Sequence, residues 1–158
     1  MTVIAGLPAH VLFIHFMVAL VPLTAVLEML CAVWPAARRR LVWLVLTLAV
    51  VTLVLTPLTV EAGQWLYDRE ENPGEILQTH AERGEWMIYF SVAMALVAVA
   101  LAVLPRFDGR SDRRRTVVRV ATMLIALVVG ISSIVTVVRI GDSGARAVWG
   151  DELTEADS

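Results

Sequence analysis

The chain has 158 residues, of which 58% are hydrophobic and 18% charged, with a formal net charge of -2. With a mean hydropathy of +0.75, it carries more apolar surface than a soluble domain of this length buries, which leaves a membrane protein. One cysteine, Cys31, excludes an intramolecular disulfide.

Four stretches are nearly free of charge: Ala9 to Val33 with only Glu28, then Leu41 to Val60, Trp86 to Leu104 and Val120 to Val138 with none. Each approaches the roughly 20 residues that a helix needs to cross about 30 Å of hydrocarbon. The predicted spans, with their flanks, are 9–34, 41–62, 85–104 and 116–139. The first run has no Lys or Arg before it and exceeds the roughly 7 to 15 residues of a signal-peptide core, so it is expected to stay in the mature protein.

Pro8 suits the first turn of a helix, where its missing N–H costs nothing. Pro22, inside span one, removes a backbone hydrogen bond and predicts a kink, with Thr24 or neighbouring helices supplying the freed groups. Trp34 and Trp43 flank the turn between spans one and two as interfacial anchors, and Trp65 and Tyr67 do the same at the other end of span two. Asn72-Pro73-Gly74 signals a turn, after which Glu75 to Glu85 has helical composition and extends span three. Pro105 stops that span. Gly130, Ser132 and Ser133 in span four are small enough to let helices approach closely. The stretch Gly141 to Gly150 is too rich in glycine to continue a long helix and is expected to fold back as a cap. It follows no strand, so its glycine spacing does not read as a phosphate loop. No internal repeat is visible. The expected fold is all-α: one domain, 1–158, forming an integral membrane four-helix bundle.

All thirteen basic residues are arginine. Arg38, Arg39 and Arg40 lie between spans one and two. Arg106, Arg110, Arg113, Arg114 and Arg115 lie between spans three and four, where only Asp108 and Asp112 oppose them. The middle loop and the C-terminal tail are acidic. By the positive-inside rule both arginine loops face the cytoplasm, and the middle loop and both termini face out of the cytoplasmic membrane. His10, His15 and His80 then share the outer face.

Ionisable side chains at membrane depth are functional candidates by default. Counted at 1.5 Å per residue from the span centres, His15 lies roughly 9 Å outward of the midplane, His10 roughly 16 Å and His80 roughly 20 Å. His10 and His80 are placed to meet. His10 and His15 differ by about 140° around the helix and do not share one ligand. The predicted cluster is therefore His10, His80 and a nearby acid such as Glu61, with His15 as a further candidate. A transition metal suits it; haem b clamped between helices by two imidazoles is the sharper but less favoured version, because at the depth of His10 and His80 it would lie half in the headgroups. The charges Glu28 and Arg119 sit in the inner leaflet and are expected to pair across spans one and four, with Glu61 and Arg139 as a second pair at the outer end.

The run His10-Val-Leu-Phe-Ile-His15-Phe16, followed by Val18-Ala-Leu-Val-Pro22-Leu, resembles the H-P-x-x-x-H-F-P-I-A-L-x-P-L opening of a bacterial four-helix membrane family, the domain of unknown function 2231. Glu28 in the second half of the first helix, the Thr56, Glu61, Trp65 spacing in the second, and His80 entering the third are similar to that family as well. So is the glycine-containing ending, and the resemblance covers essentially the whole chain. Val11 and Met17 stand where the family usually has proline. The resemblance implies an integral membrane protein with no assigned reaction, in a respiratory or redox membrane setting.

Three readings compete. The first is a protein whose outer histidines hold a metal or haem. The second is a ligand-free accessory or scaffold subunit of a larger membrane complex, as a monomer or an oligomer. The third is a small transporter coupled through Glu28, which the strong arginine bias disfavours because dual-topology transporters need a weak one. No nucleophile with a base and an orienting partner is present, so no independent catalytic activity is expected, and no nucleic-acid partner either. The bilayer itself is the one certain environment, with the arginine loops against anionic lipid.

Overall fold

The computed structural model describes residues 3–4, 7–107 and 112–156. Two short strands, β1 (Val3–Ile4) and β2 (Leu7–Pro8), pair antiparallel with Val3 opposite Pro8. Four helices follow: α1 (Ala9–Val33), α2 (Pro35–Tyr67), α3 (Glu75–Val103) and α4 (Asp112–Ala156), with a 3-10 turn at Leu104–Phe107 after α3. All four are long and apolar enough to cross a membrane. Pro8 thus pairs in β2 and α1 opens one residue after it.

The helices run up and down in a ring, each packed on its sequence neighbours, and α4 closes against α1. α1 and α3 touch across one diagonal, while α2 and α4 lie on the other with almost no contact. Every hydrophobic run faces two ways, as it must in lipid. Large side chains point outward, with Trp43 71% and Tyr89 70% exposed at opposite ends of the bundle. Interior positions are shared between small residues and the flexible side chains of methionine and leucine. One buried cluster holds Cys31, Val45, Ala49, Val97, Ala98 and Leu101, and a second, nearer the N-terminus of α1, holds Met17, Val21, Ala25, Met87 and Met94. The end carrying His10 and His80 is called the histidine end below, and the other the arginine end.

Several local expectations change. Arg38, Arg39 and Arg40 are not in a loop: only Trp34 separates the first two helices, and Pro35 opens α2 at the position where proline is favoured. Thr24 donates to the Leu20 carbonyl at 2.7 Å, so it does not supply the Val18 carbonyl that Pro22 leaves without an N–H. The chain reverses between α2 and α3 through a turn at 68–69 and a bend at 71–72, the Gln78 side chain donates to the Pro73 carbonyl at 3.1 Å, and α3 starts at Glu75 after Gly74 as its N-cap.

The largest correction is the tail. Gly141 to Gly150 does not fold back, because α4 runs unbroken for 45 residues, about 68 Å. Glycine costs a helix interior about 1 kcal/mol relative to alanine, but Ala145 and Ala147 are strong formers, and Asp142 meets Arg146 one turn on at 3.1 Å. Packing against α3, described below, supplies the rest.

Gly130 sits against α1: a Cβ there would lie 2.9 Å from Met29 Cγ. Gly130→Ala is therefore expected to lower stability by about 1–3 kcal/mol, the cost of overpacking, despite its better helix propensity. Thermal unfolding in mild detergent measures this, and an unchanged or higher midpoint would show that Met29 simply moves aside.

Candidate functional site: two imidazoles on one cavity

His10 lies in the first turn of α1, where the neighbouring helix α2 passes close by. Its Nδ1 is 3.1 Å from the Thr59 carbonyl oxygen. A carbonyl only accepts, so Nδ1 carries the hydrogen and donates it. Neutral imidazole has one N–H, which leaves Nε2 with a bare lone pair.

His80 repeats this arrangement on the other hairpin. It rides the part of α3 beyond the most apolar run, and its Nδ1 donates to the Ile140 carbonyl of α4 at 3.1 Å, with Ser143 Oγ at 3.3 Å beside it. Ser143 Oγ itself donates to Ile140 O at 3.0 Å. Neither Nε2 has a hydrogen-bond partner among the described residues, and neither is sealed from open space. The ring centroids are 6.4 Å apart and the ring planes cross at 85°.

Both imidazoles border one cavity of about 560 Å³ at the histidine end. Its floor is apolar, built from Ile14, Met17, Met87 and Val137. Its rim is polar, with Gln64, Arg69 and Glu70. Gln64 Nε2 donates to Glu85 Oε1 at 2.8 Å, tying α2 to α3 there, and the Arg69 guanidinium rests on the Trp65 ring at 3.4 Å. Cation–π stacking of this kind holds an arginine in place without neutralising it.

The structure thus brings His10 and His80 together and leaves the other two candidates out. Glu61 is exposed and does not border the cavity. Thr56, Thr59, Val60 and Gly63 face the cavity, and Glu61 follows Val60 by about 100° around the helix, which turns it away. His15 is exposed on α1 and likewise stays outside. Among the described residues no group of three or more His, Cys, Asp and Glu is close enough to hold a metal ion.

The expected ion pairs also fail, for reasons of register and topology. Among the described residues neither carboxylate oxygen of Glu28 has a hydrogen-bond partner, although the residue is 0% exposed. Its helix is correctly paired with α4, but the Ala25–Met29 segment meets Gly130, which places Arg119 about 15 Å nearer the arginine end than Glu28. Glu61 and Arg139 stand on α2 and α4, the diagonal that scarcely touches, and both are exposed. Arg38 is buried as well, and its Nη1 donates to the Cys31 carbonyl at 3.5 Å.

Sequence reasoning missed Gly63 and Gly144. A Cβ at Gly63 would lie 2.7 Å from His10 Cε1, and one at Gly144 would lie 2.9 Å from His80 Cε1. A glycine inside a helix, one turn past the carbonyl that each histidine reaches, was the available signal of close approach.

Fold and site together define a four-helix membrane-type bundle with paired imidazoles over an apolar cavity. Over residues 6–157 the chain matches the sequence profile described as predicted membrane protein (DUF2231), and it belongs to that family. No curated protein and no solved structure matches it.

A buried carboxyl with no partner is a net cost to folding. Glu28→Met, which keeps the length and removes the polar atoms, is expected to stabilise the protein by about 1–3 kcal/mol. Thermal unfolding decides it; a loss of stability would reveal a partner for Glu28 in the membrane-embedded protein.

Proposed function

We propose that the cavity holds a haem b between His10 and His80, and that the protein serves as an electron carrier in a respiratory or redox membrane. The observation that carries this reading is the pair of Nδ1-anchored imidazoles with open Nε2 atoms on one apolar cavity, 6.4 Å centre to centre. Two imidazoles bound through Nε2 to opposite faces of one metal, at about 2.0–2.1 Å each, have ring centres about 6 Å apart.

Ligand number favours haem over a bare ion. A divalent ion in protein takes four or more donors, and two imidazoles supply half of that. A haem iron already has four nitrogens in the ring and needs only two axial ligands. The carbonyl bonds on Nδ1 are the outer-shell partners that fix the orientation of a ligating histidine and raise its basicity. A cavity of about 560 Å³ lies within the roughly 300–1,000 Å³ of ligand pockets. The apolar floor suits the macrocycle, and the Arg69 guanidinium at the rim suits its carboxylate groups.

The test is a visible spectrum with metal analysis on protein purified in mild detergent and loaded with haemin. Six-coordinate low-spin bands with roughly one iron per chain are expected, lost or converted to five-coordinate bands in His10→Ala and His80→Ala. A colourless, metal-free preparation after loading would leave the ligand-free scaffold reading in its place.

Charge asymmetry supports placing the histidine end outside the cytoplasm: Arg38, Arg39, Arg40, Arg113, Arg114 and Arg115 gather at the opposite end. In a Cys31→Ser background, Asn72→Cys in the α2–α3 turn is expected to react with an impermeant thiol reagent added to intact spheroplasts, and Arg40→Cys only after lysis. The reverse pattern would place the site on the cytoplasmic face.

A further inference from the structure

The two hairpins α1–α2 and α3–α4 build the site twice. In each, a histidine near the start of the first helix donates Nδ1–H to a carbonyl of the second, Thr59 or Ile140, at the same 3.1 Å. In each, the residue one turn past that carbonyl is a glycine, Gly63 or Gly144, packed against the Cε1 edge of the same imidazole. The residue before each glycine is small and buried, Ala62 or Ser143. The equivalence escapes a search for repeats because the two copies share only these few positions and their connections differ in length.

We infer that Gly63 and Gly144 are positioning residues that hold the two imidazoles with their planes crossed, so that a haem between them is ligated in perpendicular geometry. The inference rests on the haem reading. Each ring is fixed at two atoms: the carbonyl holds Nδ1, and the bare helix backbone receives Cε1. Rotation about the Nε2–metal direction would drive Cε1 or Cδ2 into the helix. Because the two helices that fix the rings lie on opposite corners of the bundle, the two planes are set independently, and they stand at 85°. Perpendicular axial imidazoles interact equally with the two iron dπ orbitals, dxz and dyz, whose lobes lie between the macrocycle plane and the axial direction, so those orbitals stay nearly equal in energy. Ferric low-spin haem then gives a strongly anisotropic electron paramagnetic resonance signal with one large low-field component. Parallel imidazoles split the orbitals and give an ordinary rhombic signal.

Four glycine variants of the full chain, each loaded with haemin, test this. Gly63→Ala and Gly144→Ala put a Cβ into an imidazole edge, at 2.7 and 2.9 Å. They are expected to replace the low-field signal by a rhombic or high-spin one and to weaken haem retention about 10- to 100-fold, the range for outer-shell changes. Gly74→Ala lies outside the cavity and its Cβ meets nothing, and Gly130→Ala crowds Met29 away from the site. Both should keep the parent signal. Unchanged spectra in Gly63→Ala and Gly144→Ala, or an equal change in Gly130→Ala, would overturn the inference.

Two readouts do not need haem. In haem-free protein the imidazole nitrogen resonances of His10 should move in Gly63→Ala, and those of His80 in Gly144→Ala. The stability loss of Gly63→Ala should also vanish in a His10→Ala background, as a double-mutant cycle measures. If the parent binds no haem while these two results hold, the cofactor reading fails and the positioning of the rings stands. If neither holds, the glycines have no positioning role.

Discussion

A backbone carbonyl cannot donate, and that asymmetry decides the chemistry of both histidines. Because Thr59 and Ile140 each receive an Nδ1–H at 3.1 Å, a neutral imidazole at either position carries its lone pair on Nε2. The acceptors belong to long helices held by the whole bundle, so their positions vary little. Side-chain acceptors would have left the tautomer free to change. The glycines one turn further on complete the constraint, since a ring tied at one atom could still swing. The two histidines that depth counting brings to one level are thus an oriented pair, with the orientation supplied by four helices.

The same economy of side chains governs the rest of the bundle. In lipid, apolar surface gains nothing from helix contact, so association depends on close packing. Large residues such as Trp43, Leu96 and Val128 accordingly lie on the outside, while Ala25, Ala49, Ala98 and Ala126 fill the interior. Gly130 against Met29 and Gly63 against His10 are two uses of one device: removal of a Cβ brings a backbone within reach of a side chain. In the first case the gain is packing, in the second an oriented imidazole. Buried hydroxyls cost little in this setting because Thr24, Thr52, Thr56 and Ser133 each donate to the carbonyl one turn back in their own helix. Glu28 has no such partner and stands out for it.

Much of the fold was legible in the sequence because lipid writes it in one dimension. Long runs without charge mark the helices, and Asn72-Pro73-Gly74 marks the break after which α3 starts at Glu75. The meeting of His10 and His80 followed from depth counting alone. What failed depended on rotation and register, which periodicity fixes poorly when a helix is apolar all round. Glu61 turned out to face away from the cavity, Arg139 to stand on the wrong diagonal, and Arg119 to lie too far along α4 to reach Glu28. The glycines of 141–150 misled for a different reason: local propensity argued for a break, while contact with His80 made a small residue in an intact helix the better solution.

At the arginine end, the contact from Arg38 to the Cys31 carbonyl joins two matters usually treated apart. Cys31 O is among the last four carbonyls of α1, which no N–H of that helix can satisfy, and a cation there also complements the negative pole of the helix. Arg38 therefore both adds to the positive charge of this end and joins the start of α2 to the end of α1. Loss of that one guanidinium would loosen the first hairpin and weaken the charge asymmetry between the two ends of the bundle in a single change.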